Sequence, residues 1–238
     1  MRLIITAGAA LAIAGAAYAA QGAPTGRTPV AIELFTSQGC SSCPPADAIV
    51  EQLSKEANTV ILTRPVTYWD RLGWKDTLAL ESNTDLQNAY ARRGGEGAGV
   101  YTPQAVVQGG AGTVGSRQAE LRKLVAAAQN VPGPSVHASL SADGGRSVAI
   151  GAADKVSASV SVIALRSHVV VRIGSGENGG RTVRYTNVVV AETEVGRYTG
   201  AAATITVPGR VVKQAGADRY ALVVRSGAAG KIVAARYI

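Results

Sequence analysis

The chain reads as an α/β domain followed by an all-β, sandwich-like domain, and three observations carry that reading. β-rich runs alternate with helical stripes over residues 28–130, a Pro/Gly-rich segment interrupts the pattern, and only short alternating runs follow over residues 135–238.

Each element follows in order. Pro29 to Phe35, PVAIELF, is a buried strand that ends in the turn Thr36-Ser37-Gln38-Gly39. Pro44 to Glu56 carries Ala48, Ile49 and Leu53 at helical spacing, with Pro44 and Pro45 tolerated only in a first turn. TVILTRPV at 59–66 is a second strand, and the aromatic, charged segment YWDRLGWKD at 68–76 follows. A helix is expected over about Thr84 to Arg93, and the glycine-rich GGEGAG leads to Val100-Tyr101-Thr102-Pro103. The strand QAVVQG then turns at Gly109-Gly110 toward a short partner near Thr113-Val114. Ser116 stands where a helix N-cap belongs, before the apolar stripe Leu121, Leu124 and Val125. Asn130 to Ser135, NVPGPS, is a linker by composition. About eight β runs, from SVHASLS to KIVAARYI, complete the chain without a helical stripe.

The first nineteen residues combine Arg2, an apolar run from Leu3 to Ala17 and the small-x-small site Ala17-Tyr18-Ala19. This is the pattern of an export signal, so the mature protein is expected in the periplasm or secreted, with no transmembrane segment once residues 1–19 are removed. An oxidising compartment permits a disulfide that the cytosol would reduce. The formal net charge of +8 comes from scattered residues, and one Phe and two Trp offer little stacking surface, so nucleic acid is not an expected partner.

Cys40 and Cys43, the only cysteines, sit in QGCSSCPPAD between the first strand and its helix. That spacing puts two sulfurs within disulfide reach, which suits a redox pair, a structural staple or a two-thiolate copper(I) clip. Zinc needs two further ligands, and the only histidines, His137 and His168, fall in the second half of the chain; no metal or cofactor is expected. Glu33 is a charge in the middle of an apolar strand, so it faces solvent as an edge-strand glutamate, is held in an ion pair, or lies buried near the sulfurs, where burial would raise its pKa. Trp69 and Trp74 offer a groove beside the disulfide, with Asp70, Lys75 and Asp76 selecting a partner; packing onto the core is the other option. Glu177-Asn178-Gly179-Gly180-Arg181 reads as a turn.

The order of elements over residues 28–130, with Cys40-Ser41-Ser42-Cys43 after one strand and Thr102-Pro103 before another, resembles the thioredoxin fold. More narrowly, ELFTSQGCSSCPPAD, YWDRLGWKD, VYTPQ, GENGGRT and TNVV resemble a secreted thioredoxin-like family of unknown function (domain of unknown function 1223). Such families carry a His-Val-Asp stretch where this chain has Pro65-Val66-Thr67, so no role is carried over for that His or Asp.

The resemblance implies thiol-disulfide exchange with protein or small-molecule substrates and an electron-donor or acceptor partner. It implies Cys40 as the more accessible, attacking sulfur, Cys43 as the resolving one, a cis Pro103 beside the disulfide, and Thr102 as the backbone edge that receives substrate. Glu33 would match the buried carboxylate that thioredoxins use for proton transfer. Pro44 and Pro45 lack N–H groups, so Cys40 should gain little from the helix terminus, and its thiol is expected to be only moderately acidic. The alternative is a non-catalytic binding module with a fixed disulfide or bound copper(I).

Overall fold

The structure is a computed structural model that describes residues 28–238. The export signal expected at 1–19 lies outside the described residues.

Most of the strands join one curved sheet. Strands β1 (Val30–Thr36) and β2 (Thr59–Pro65) run parallel, with helix α1 (Pro44–Leu53) as their crossover. Helix α2 (Glu81–Arg93) leads to β3 (Gln104–Val107), which pairs antiparallel with β1, and β4 (Gly112–Val114) forms the edge before helix α3 (Gln118–Gln129). Helix α2 begins a turn earlier than the Thr84 its sequence suggested. Arg117 rather than Ser116 caps α3, without a side-chain bond.

Beyond the linker come β5 (Val136–Leu140), β6 (Arg146–Ile150), β7 (Ala158–Arg172), β8 (Thr182–Tyr198), β9 (Ala203–Val207), β10 (Arg219–Arg225) and β11 (Ile232–Tyr237). The runs SASVSVIAL and HVVVRIG fuse into the single fifteen-residue β7, which forms a long hairpin with β8.

The segments 28–130 and 135–238 share a sheet of order β11-β10-β7-β8-β2-β1-β3-β4, joined where Thr63 of β2 pairs in parallel with Val188 of β8. A second sheet, β5-β6-β9, packs on the β7–β10–β11 part through Val136, Val148, Ile150 and Val207 against Val160, Val162, Leu222 and Val224. The second half is thus all β and two-layered, and one of its layers continues the α/β sheet.

Strand alternation assigns the faces of β1. Val30, Ile32 and Leu34 pack with Ala46, Val50 and Leu53 of α1 and with Leu121 and Val125 of α3. Ala31 faces the other way, toward Leu62, Val223 and Ala235, while Phe35 meets Tyr90 of α2. Burying these apolar side chains at about 25 cal/mol per Å² is what holds the helices to the sheet.

Candidate functional site

Cys40 and Cys43 form a closed disulfide with their Cα atoms 5.4 Å apart. β1 delivers the chain to Thr36, a tight turn carries it to Cys40, and Cys43 is the N-cap residue of α1 with helical φ and ψ. Pro44 and Pro45 occupy the first two helical positions, so the first amides of the helix, Ala46 and Asp47, both turn back to the Cys43 carbonyl. None of these N–H groups is free for Cys40. Cys40 Sγ has Ser42 Oγ at 3.4 Å. Both cysteines are 0% exposed, so Cys40 is not the more accessible sulfur in this closed state.

The two tryptophans join the site through their ring N–H groups. Trp69 Nε1 donates to Thr102 Oγ1 at 2.8 Å, and the Trp69 side chain lies so close to Gly39 that a Cβ there would come within 3.3 Å of it. Trp74 Nε1 donates to Gln38 Oε1 at 2.8 Å. The Thr102–Pro103 bond is cis. A Cβ on Gly115 would meet Leu34 at 2.8 Å, Ala46 at 3.1 Å and Pro103 at 3.4 Å, so this glycine lets the Pro103 loop settle against α1. The turn before Cys40 is tied down by Asp76, whose Oδ2 accepts the Gln38 amide at 2.7 Å.

Glu33 departs from the expectation placed on it. Odd positions of β1 point away from α1, so Glu33 is on the sheet face opposite the helix that carries Cys43. It is buried, and burial alone would raise its pKa, but Arg225 and Arg64 overcome that and hold it near about 2. Arg64 Nε donates to Glu33 Oε1 at 2.7 Å and Arg225 Nη2 to the same oxygen at 2.8 Å, while Tyr90 Oη donates to Oε2. Arg225 also donates to Tyr90 Oη, and Arg64 continues to Asn83 and Glu192. Every polar atom of Glu33 is engaged.

The acid on the disulfide's own side is Asp47, which sequence reasoning passed over. It is 2% exposed and one helical turn past Cys43, and its amide donates to the Cys43 carbonyl at 3.1 Å. Residues four apart on a helix share a face with Cβ atoms about 5–6 Å apart, so helix spacing puts Asp47 on the same face of α1 as Cys43. Neither carboxyl oxygen has a hydrogen-bond partner among the described residues, and nor has Thr36 Oγ1, the polar neighbour at the end of β1. Desolvation pushes Asp47 up to about 8; Thr36 opposes the rise without closing a bond, and the nearby Asp76 adds to it. Tyr185 of β8 is also buried nearby, and that burial together with the charges of Asp47 and Asp76 raises its pKa too. The signal was there in the four-residue step from Cys43 to Asp47, but an isolated Asp in a helical first turn reads equally as a favourable charge at a helix start.

The turn over Glu177 to Arg181 also reaches the site. Asn178 is 1% exposed, and its Nδ2 donates to Gln38 O at 3.0 Å and Cys40 O at 2.8 Å. Glu177 Oε2 accepts the Ser41 amide at 3.1 Å, and the Ser41 hydroxyl and amide together lower the Glu177 pKa. Only the fold of the β7–β8 hairpin could bring these residues across the chain to Cys40.

Residues 31–225 match the family described as Protein of unknown function (DUF1223), and the chain belongs to it. A structural-genomics crystal structure of an Agrobacterium tumefaciens protein is similar at a TM-score of 0.77 and 29% identity, covering 88% of this chain and 93% of that one. HBP35 of Porphyromonas gingivalis shares the fold at a TM-score of 0.59 and 13% identity, over 89% of this chain and 75% of that one. No curated protein matches. Among the described residues no helix is long and apolar enough to cross a membrane.

Proposed function

We propose that this member of the DUF1223 family is an exported thioredoxin-like protein that exchanges its Cys40–Cys43 disulfide with the thiols and disulfides of substrates outside the cytoplasm. The observation that carries the proposal is the pairing of a closed disulfide at the β1–α1 junction with a buried, unpartnered acid one turn along the same helix. A structural staple has no use for such an acid, whose burial costs stability, whereas a thiolate leaving group needs a proton donor. The β1-α1-β2-α2-β3-β4-α3 order and the cis Thr102–Pro103 peptide ahead of β3 support the thioredoxin-like reading.

Written from the disulfide form, a substrate thiolate attacks Cys40 Sγ, the S–S bond breaks, and its electron pair goes to Cys43 Sγ. The neutral Asp47 carboxyl gives its proton to that thiolate. A second substrate thiolate then attacks the sulfur bonded to Cys40, the substrate disulfide closes, and Cys40 leaves as a thiolate. Two electrons have passed from a substrate dithiol to the protein, and a partner disulfide or dithiol of the compartment restores the starting state. In reverse, ionised Asp47 takes the Cys43 proton so that this sulfur can resolve a mixed disulfide. Glu33 has no part in either direction, because its two guanidinium partners keep it ionised.

Dithiothreitol-driven reduction of insulin tests the reading directly. Turnover by the wild type, its loss in Cys40→Ala, and substrate proteins trapped on Cys40 in Cys43→Ala are the expected results. A disulfide that resists mild reduction, with no turnover, would leave it a fixed structural bridge.

A further inference from the structure

The tip of the β7–β8 hairpin is bound to the loop around Cys40 by side chains rather than by packing alone. Asn178 gives one primary amide to two carbonyls, Gln38 O and Cys40 O, and Glu177 takes the Ser41 N–H. Arg181 Nη1 donates to Asn178 Oδ1 at 3.0 Å, which turns the Asn178 nitrogen toward the carbonyls. Ser175 Oγ donates to Gly73 O at 2.6 Å, and Trp74 lies against Gly174 and Gly176, where a Cβ would come within 2.8 Å and 3.2 Å of the indole side chain. The tip is therefore shaped to this loop. Gly176 and Gly180 hold positive φ, at 75° and 82°, conformations that any other residue would strain.

The groups it covers have a definite chemistry. Within four residues the loop presents two carbonyl acceptors and one amide donor, beside a sulfur that has no exposed surface while its neighbours Ser41 and Ser42 are exposed. The carboxamide of Asn178 is chemically a peptide group, and the Glu177 carboxylate accepts as a peptide carbonyl would. An extended polypeptide offers N–H donors and C=O acceptors along one edge, which is how chains add to an exposed backbone edge. A small thiol carries no such set.

We propose that residues 174–181 are a built-in placeholder for a polypeptide: Asn178 and Glu177 hold the backbone groups of Gln38, Cys40 and Ser41 that a bound substrate chain takes over when it displaces the tip. This rests on the exchange reading for its purpose, since a chain docked there lies against Cys40. It does not rest on that reading for its test.

The probe is S-carboxymethylated insulin B chain, an extended polypeptide without a disulfide, titrated into the oxidised protein with the fluorescence of Trp69 and Trp74 as signal. If a closed tip competes with the probe, releasing it raises the apparent affinity by the inverse of the open fraction. Asn178→Ala is expected to bind at least about tenfold more tightly than wild type, and its disulfide to be reduced by dithiothreitol about tenfold faster. Asn178→Asp keeps the volume but loses both donors and should behave the same way. Glu177→Ala, at an exposed position, alters no core and is expected to give a smaller gain in the same direction.

Unchanged or weaker probe binding in Asn178→Asp and Glu177→Ala, with native circular dichroism, overturns the placeholder. Faster dithiothreitol reduction without tighter probe binding overturns it as well, since the tip would then be a plain cover. Tighter binding with no insulin turnover in any form sinks the exchange reading and leaves the placeholder standing.

Discussion

Two carboxyl groups, Glu33 and Asp47, lie within fourteen residues of each other and are equally out of water, yet they have opposite fates. Glu33 is surrounded by two guanidiniums and a phenol and stays ionised, while Asp47 has no donor on either oxygen among the described residues and is held protonated to about pH 8. Burial is the same physical cost in both. The partner set decides whether that cost is met by charge pairing or by keeping the proton. The paired acid ties β1, β2, α2 and β10 together, whereas the unpaired acid keeps its proton one helical turn past Cys43.

The sharpest test of the contrast is the pH dependence of stability. Asp47 has a folded pKa raised above its unfolded value, so its favourable contribution is complete below about pH 4 and is lost as pH rises to about 8. Asp47→Asn removes that loss, and by pH 8 it should exceed the wild type in unfolding free energy by an amount on the order of 5 kcal/mol; urea melts from pH 4 to 8 measure the widening gap. The same variant should slow insulin reduction by about a hundredfold or more, the usual share of a general acid. A destabilised Asp47→Asn would show that the carboxyl is anchored by unseen bonds and would remove the contrast.

Glu33→Gln should act in the other direction. Breaking one partner of a buried ionic set costs about 3–5 kcal/mol, because Arg64 and Arg225 are left without their shared anion. Glu33 has a lowered folded pKa, so its stabilisation is present above about pH 4 and is lost as pH falls through about 2. Acid unfolding of the wild type should therefore show a component in that window that Glu33→Gln lacks. Insulin turnover per folded molecule should be unchanged in this variant, and a marked loss would return Glu33 to the chemistry.

Trp69→Phe removes the bond to Thr102 Oγ1 and the part of the indole that packs on the Phe35–Tyr90 cluster, and should cost about 1–3 kcal/mol by chemical denaturation. Smallest of all is the Arg122–Glu56 pair at 3.0 Å, whose side chains are 47% and 42% exposed. Glu56→Gln should change stability by no more than about 0.5 kcal/mol, in contrast to the buried set around Glu33.

Much of the framework was legible because its causes are local. The helix after Cys43 begins at Pro44, as proline at a first turn requires, and the β runs of the second half appear as strands. Trp69 and Trp74 bond Thr102 and Gln38 through their ring N–H groups, and both rings also pack against apolar clusters, which is the packing option the sequence offered for them. For Glu33 the structure takes the ion-pair option over the proton-transfer one, and its nearness in sequence to Cys40 could not show which, because one of the two arginines that meet it, Arg225, comes from near the far end of the chain. Asn178 read as a turn residue because a glycine-rich hairpin tip has the same composition whether it meets solvent or another loop.

By itself the sequence determined what depends on spacing and alternation: two sulfurs near enough to bond, a helix starting after them, Asp47 on the helical face of Cys43, and β1 presenting Glu33 and Leu34 to opposite sides. Only the tertiary structure decided which acid is charged and what stands over Cys40. Those outcomes come from desolvation and from partners on β2, β8 and β10, and both depend on how distant segments are brought together rather than on neighbouring residues.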